Sequence, residues 1–258
     1  MMGILNVTPD SFFAGSRVES KKSLLDKAEN MLTAGAAILD VGGYSPRPGA
    51  EHISEAEELE RVTQAISDII KSFPEAIISI DTFRATVAEA AVDAGAAMVN
   101  DISGGSLDDS MYKTVARLKV PYILMHMKGT PQNMVKQTDY DHLLTDLYAY
   151  FSKKVRQLQD LGVADIVLDP GFGFAKTKEQ SYEVLRNLGY FKSLKLPLLA
   201  GLSRKSMIYK ELGTSPEEAL NGTSILNTIA LMNGASILRV HDIKPAVEAV
   251  KLYKATYT

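Results

Sequence analysis

The chain has 258 residues, 46% of them hydrophobic and 23% charged, with a net charge of −3 and no cysteine. That is the size and balance of one globular domain with a large core, and it excludes a disulfide framework, thiolate chemistry and a global basic field for nucleic acid. No apolar stretch reaches membrane-spanning length, and no basic flank precedes a long apolar region at the N-terminus, so neither anchor nor signal peptide is expected and the expected compartment is the cytoplasm.

Eight short apolar runs follow one another, and each ends in residues able to do chemistry. The first strand, residues 2–7, carries Asn6. Residues 37–39 run into Asp40, 77–80 into Asp81 and Thr82, 98–99 into Asn100 and Asp101, and 122–125 into His126. Residues 166–168 end in Asp169, 198–202 lead into Ser203, Arg204 and Lys205, and 237–238 end in Arg239, Val240 and His241. The runs are rich in Ile, Val and Leu, as parallel strands covered on both faces should be.

Helical patterns separate the runs. Residues 23–34 place Leu24, Leu25, Ala28 and Leu32 on one face. Residues 54–72 open on Ser54 and Glu57, spaced as a capping box. Residues 86–94, 110–118, 140–161, 179–187, 222–232 and 244–255 complete the set. Gly35, Gly95 and Gly234 follow helices and are expected to end them in the left-handed conformation. Strand–helix alternation eight times over, without a linker, predicts a single domain over residues 1–258. A (β/α)8 TIM barrel fits the even recurrence and the length better than a long doubly wound sheet. Its catalytic face is the mouth where the strands end. The irregular stretches 9–19, 42–52 and 128–138 fall at that mouth as candidate lids.

Among the strand ends, Asp169 opens Asp169-Pro170-Gly171-Phe172-Gly173-Phe174-Ala175-Lys176. A carboxylate at the foot of such a turn can accept two adjacent ring N–H groups, with Phe as flat apolar wall; a tight turn with buried Phe is the plainer reading. Asp81 and Asn100, on neighbouring strands, match the donor and acceptor edge of a pterin or purine, or else cap their own turns. Asp40 and Asp101 read more as caps. Arg239 and His241 share a strand face and meet Asn6 across the closing seam, a fit for an anion with Mg²⁺ on Asn6. The alternative pairs Arg239 with Asp242 and packs His241 at the rim. Lys205 can be a Schiff-base nucleophile, a phosphate ligand or a donor to a ring carbonyl, or simply a solvated loop end. Pro46 and Pro48 stiffen the segment presenting Arg47, which suits a carboxylate or phosphate. His126 reads as structural, and His52 and His142 as surface residues.

Taken together, several segments resemble the dihydropteroate synthase family of pterin-binding barrels. They are 2–12, Asp40-Val41-Gly42-Gly43 with Arg47-Pro48-Gly49-Ala50, 79–82, 99–105, 125–127, 169–174 with Lys176, Gly201-Leu202-Ser203-Arg204-Lys205, and 239–242. They run in family order through the chain. The resemblance implies that Asp169, Asn100, Asp81 and Lys205 hold the pterin with Arg239 over its ring. It implies that Asn6, Arg239 and His241 bind diphosphate and Mg²⁺. It places Ser203, Arg204, Arg47 and Phe174 around p-aminobenzoate. It further implies a homodimer through helices of the C-terminal half, and small-molecule substrates rather than nucleic acid or membrane.

Three departures qualify the match. The family's Ser-Phe-Ser-Asp-Gly-Gly reads Ser11-Phe12-Phe13-Ala14-Gly15-Ser16, so Ala14 replaces an acid. Tyr44 and Pro46 stand at the Glu and Thr of Gly-Glu-Ser-Thr-Arg-Pro. Family members also carry residues ahead of the first strand, often a short hairpin, so a trimmed chain is expected. Rival readings are a pterin-barrel methyltransferase, a Schiff-base aldolase on Lys205, and a paralogue that binds pterin without turnover. The Ser-Arg-Lys and Arg-x-His sets count against the methyltransferase.

Overall fold

The computed structural model describes residues 1–7, 17–44 and 53–257, with residues 17–20 as backbone only. The stretch 8–16 and the stretch 45–52, with Arg47, Ala14 and Pro46, lie outside the described residues. The strands are β1 (Met2–Asn6), β2 (Ile38–Gly42), β3 (Ile78–Asp81), β4 (Met98–Asp101), β5 (Tyr122–Met125), β6 (Ile166–Asp169), β7 (Leu199–Ala200) and β8 (Ile237–Val240). Every pairing is parallel, in the order β6-β5-β4-β3-β2-β1-β8-β7, and a parallel bridge from Leu168 to Leu198 joins the two ends. The sheet is a closed eight-stranded barrel.

Helices cover its outside: α1 (Arg17–Thr33), α2 (Glu55–Ser72), α3 (Ala85–Asp93), α4 (Met111–Leu118), α5 (Leu143–Asp160), α6 (Lys178–Arg186), α7 (Ser206–Leu212), α8 (Leu220–Met232) and α9 (Ile243–Tyr257). This is the expected (β/α)8 barrel. None of the described helices is long and apolar enough to cross a membrane.

Local details follow from particular residues. Gly35, Gly95 and Gly234 have φ of 101°, 118° and 101°, the positive region that lets a helix end and feed the next strand. Ser54 Oγ accepts the Glu57 N–H at 3.2 Å, but the Glu57 carboxylate turns to Arg61, so only half of the expected capping box forms. The complete box is at Thr177 and Gln180, opening α6. The helix expected over 140–161 starts at Leu143 and leaves Tyr140 to bond the Ala175 carbonyl. The strand expected over 198–202 shortens to two residues, because Leu202 already enters a turn whose carbonyl accepts the Lys205 N–H. Helix α7 follows at once and was not expected.

Period-two alternation divides each strand between the helices and the barrel interior. Leu39, Val41, Ile80, Val99, Leu124 and Leu238 pack outward in the main core. Inside, Met2, Ile123, Val167 and Leu199 form a separate apolar layer with Ile38, Met98 and Ile237. Two residues further along the same strands the inward positions become Asp40, Asn100, Asp169 and Arg239. The barrel is therefore plugged with hydrocarbon below and floored with charge at the mouth.

Candidate active site

Asn6, Gly42, Asp81 and Asn100 are successive register partners, one row across β1, β2, β3 and β4. A Cβ on Gly42 would lie 3.4 Å from Asp81 Cβ and 3.7 Å from Asn6 Oδ1, so the glycine keeps space between the amide and the carboxylate. Below the row, Asp40 Oδ2 accepts from Arg239 Nε at 2.6 Å and from Asn100 Nδ2 at 3.0 Å. Arg239 Nη2 donates to Asp81 Oδ2 at 2.5 Å. Since a carboxylate only accepts, the bond to Asp40 fixes the Asn100 amide orientation and leaves its Oδ1 as an acceptor for a ligand. Asp40 Oδ1 and the hydroxyl of Ser79, the register partner of Asp40, are buried without a hydrogen-bond partner among the described residues.

The far side of the mouth is built by the turns after β6 and β7. Asp169 Oδ1 accepts the Gly171 N–H at 2.7 Å. A Cβ at Gly171 would come within 2.2 Å of the His126 carbonyl, and its φ is +68°, so only glycine lets this turn lie flush on the end of β5. Lys205 Nζ donates to the Phe172 carbonyl at 2.5 Å and stands 4.9 Å from the centre of the Phe174 ring. A Cβ on Gly201 would sit 3.8 Å from Lys205 Nζ and 4.0 Å from Arg239 Cβ, in the gap between the two cations.

Burial dominates the electrostatics. It pushes Asp81 up to about 7, with Arg239 opposing and Asp40 adding to the rise. It raises Asp169 against the pull of Lys205, and lowers Lys205 to about 8 against the pull of Asp169. It works against the Arg239 charge too, but Asp40 and Asp81 outweigh it and hold that guanidinium above its ordinary value. Such groups, poised near neutrality in a concave site, are what chemistry at physiological pH requires.

At the closing seam His241 Nδ1 lies 3.0 Å from Ser203 Oγ, which also accepts the His241 N–H. Arg204 turns away from the mouth. It forms a two-pronged pair with Asp242, at 2.8 and 3.0 Å, and donates to the Pro216 and Glu217 carbonyls. Asp242, considered as a partner for Arg239, thus belongs to Arg204. Asp101 is a cap, accepting from Ser103, Gly105 and the Tyr122 hydroxyl. Asp40 is not a cap; it reaches across the barrel to β8 and β4. Its signal in the sequence was its place two residues before Gly42, on the inward face. Tyr44 is buried edge-on to Phe83 at 5.2 Å, 5.7 Å from the Arg84 guanidinium, and accepts from Gln132 at 2.8 Å. Arg84 in turn bonds Glu58 and the Ile53 carbonyl. A cavity of about 660 Å³ between α4 and α5 lies outside the barrel; its Lys154 already donates to the Gly104 carbonyl and Ser106.

A barrel mouth with an acceptor edge, a paired guanidinium and an apolar ring wall defines a site for a flat, hydrogen-bonding heterocycle carrying an anion. The chain belongs to the pterin binding enzyme family, whose model matches residues 2–241. Within that family it falls with the dihydropteroate synthases, and it is a transferase of folate biosynthesis. It is 45% identical to dihydropteroate synthase of Synechocystis sp. over 100% of this chain and 90% of that protein. With the Escherichia coli enzyme it shares 42% over 99% and 91%. The crystal structure of Yersinia pestis dihydropteroate synthase in a sulfonamide drug complex superposes with a TM-score of 0.92 at 40% identity, covering 99% of this chain and 93% of that one. The Xanthomonas albilineans enzyme with 4-aminobenzoic acid gives 0.91 at 34%, covering 99% and 92%.

Two outcomes are expected. Asp40→Asn should weaken pterin binding by about tenfold or more, because Arg239 keeps only Asp81 as a carboxylate hydrogen-bond partner; isothermal titration with a pterin analogue reads this. In the unaltered protein, binding of an uncharged pterin analogue should rise as pH passes about 7 and Asp81 ionises, then fall as pH passes about 8 and Lys205 loses its proton. A flat profile from pH 5 to 9 would refute this assignment of the two groups.

Proposed function

We propose that the chain joins (7,8-dihydropterin-6-yl)methyl diphosphate to p-aminobenzoate, giving 7,8-dihydropteroate and diphosphate. One observation carries the reading: Asp40, Asp81 and Arg239 on one side of the mouth face Asp169 and Lys205 on the other, with Gly201 leaving the space between Arg239 and Lys205 clear. Asp81, Asn100 and Asp169 offer acceptors to the ring N–H groups, and Lys205 exchanges the Phe172 carbonyl for a ring carbonyl. Arg239 lies against the ring, while His241, Ser203 and Arg239 face the diphosphate. Phe174 and Ser203 border the p-aminobenzoate, and this is also where sulfonamides, its mimics, would compete; Arg47, expected beside them, lies outside the described residues. Arg204, held by Asp242, shapes the loop rather than meeting the substrate with its charge.

The arylamine is a weak nucleophile, so the barrier falls most when the leaving group is stabilised. The C–O bond breaks first, its electron pair leaving with diphosphate, and the electron-rich dihydropterin spreads the positive charge. The amine lone pair then forms the C–N bond and one amine proton passes to solvent. Asn6 suits Mg²⁺: its amide makes no hydrogen bond among the described residues. Those residues hold no cluster of three acidic or histidine ligands, so most of the coordination would come from diphosphate and water. Bound there, Mg²⁺ would supply charge neutralisation to the diphosphate. The absence of cysteine suits a cytoplasmic setting. Ile225 and Met232, two turns apart on α8 and exposed, suit a homodimer contact in the C-terminal half.

Incubation with the pterin diphosphate, p-aminobenzoate and Mg²⁺ should yield dihydropteroate, and diphosphate release without p-aminobenzoate would reveal departure ahead of attack. Pterin binding with no pteroate formed would favour the binding-only paralogue. Arg239→Ala should lower kcat/KM by about 10³-fold, and wild-type kinetics in that variant would sink the assignment. Sedimentation should show a dimer that Ile225→Glu dissociates; a wild-type monomer at all concentrations would exclude it.

A further inference from the structure

Lys176 closes the octapeptide that starts at Asp169, and the chemistry above does not use it. Its side chain is buried, and Nζ meets three acceptors: His126 Nδ1 at 3.0 Å, the Gly171 carbonyl at 3.2 Å and the Phe174 carbonyl at 3.2 Å. Three acceptors match the three N–H bonds of an ammonium, where a neutral amine has two. An ammonium cannot accept, so His126 Nδ1 is the bare nitrogen and the ring proton is on Nε2. Burial keeps His126 neutral, and the charge on Lys176 works in the same direction. The imidazole itself packs edge-to-face on Tyr150, with ring centres 4.7 Å apart.

The same turn is gripped from the other side by Lys205, through the Phe172 carbonyl. In the proposed reaction Lys205 must give up or share that bond when a ring carbonyl arrives. Lys176 then still ties the turn to the end of β5, and Phe174 keeps its place.

We propose that Lys176 is a positioning residue for the second substrate: it fixes the turn so that the Phe174 ring stays beside Lys205 and receives the p-aminobenzoate ring while Lys205 is engaged with the pterin. This rests on the functional reading above. Burial lowers Lys176 to about 7, with Asp169 opposing. Burial thus works against the charge, and the three acceptors around Nζ are what the side chain has in place of water.

The test uses the full-length protein. Wild type is assayed first for dihydropteroate formation; no product overturns the functional reading, and this proposal with it. Given turnover, Lys176→Met should raise KM for p-aminobenzoate about tenfold while changing the pterin-analogue Kd less than threefold. Lys176→Gln, which restores two donors, should fall between, and it stands in if the Met variant does not fold. Since Lys176 acts through Phe174, adding Lys176→Met to Phe174→Ala should raise KM no further. An unchanged KM for p-aminobenzoate in a turning-over variant would overturn the proposal alone. So would equal losses for both substrates, or full additivity with Phe174→Ala, since each marks general loosening.

Discussion

Arg239 enters the barrel from β8 and is held by Asp40 on β2 and Asp81 on β3. A guanidinium in that position keeps only part of its hydration shell, and two carboxylates at hydrogen-bond distance replace the rest. The consequence spreads. Asp40 is committed to Arg239, and through its second bond it commits the Asn100 amide to one orientation. Asp81 is shared between its guanidinium partner and the space above. Four strands are locked at their ends, and the face they present is decided before a ligand arrives. Preorganised groups of this kind do not have to be reoriented during the reaction.

The layer beneath makes this arrangement affordable. Met2, Ile123, Val167 and Leu199 fill the lower barrel and exclude water from it, so the polar groups above lie between hydrocarbon and the open mouth. The same low dielectric that penalises a lone charge strengthens a paired one. The response of Asp81 and Lys205 follows from where they stand in that gradient.

Much of this was legible in the sequence. Eight apolar runs ending in functional residues gave the barrel and its mouth, because parallel strands must be continuous hydrophobic runs and must end on one side. Asp81, Asn100, Asp169, Lys205 and Arg239 do converge, while Arg204 does not present its charge to the mouth. What stayed hidden depends on partners from distant strands. Asp40 looks like a turn cap until β8 is placed beside β1, since its partner is 199 positions away along the chain. Arg204 looks like a ligand until Asp242 is seen to take it. Ser54 and Glu57 have the spacing of a reciprocal cap, but Arg61 one turn on competes for the carboxylate. Lys176 belongs to a matching segment, but nothing in its spacing announces His126 as its partner. Spacing reports which atoms are near along the chain; it is silent on competition for them.

Arg84 joins the two described residues that flank 45–52. Its guanidinium bonds the Ile53 carbonyl, stands beside the Tyr44 ring, and is anchored by Glu58 from α2. Tyr44 and Ile53 are the residues on either side of 45–52. Both ends of that segment are therefore moored to one side chain, and the entropy of bringing them together is settled by the scaffold, independently of substrate. In mechanical terms Arg84 is one bolt through two plates: Tyr44 and Ile53 keep a spacing set by the barrel and α2, and a change at position 84 would loosen both at once.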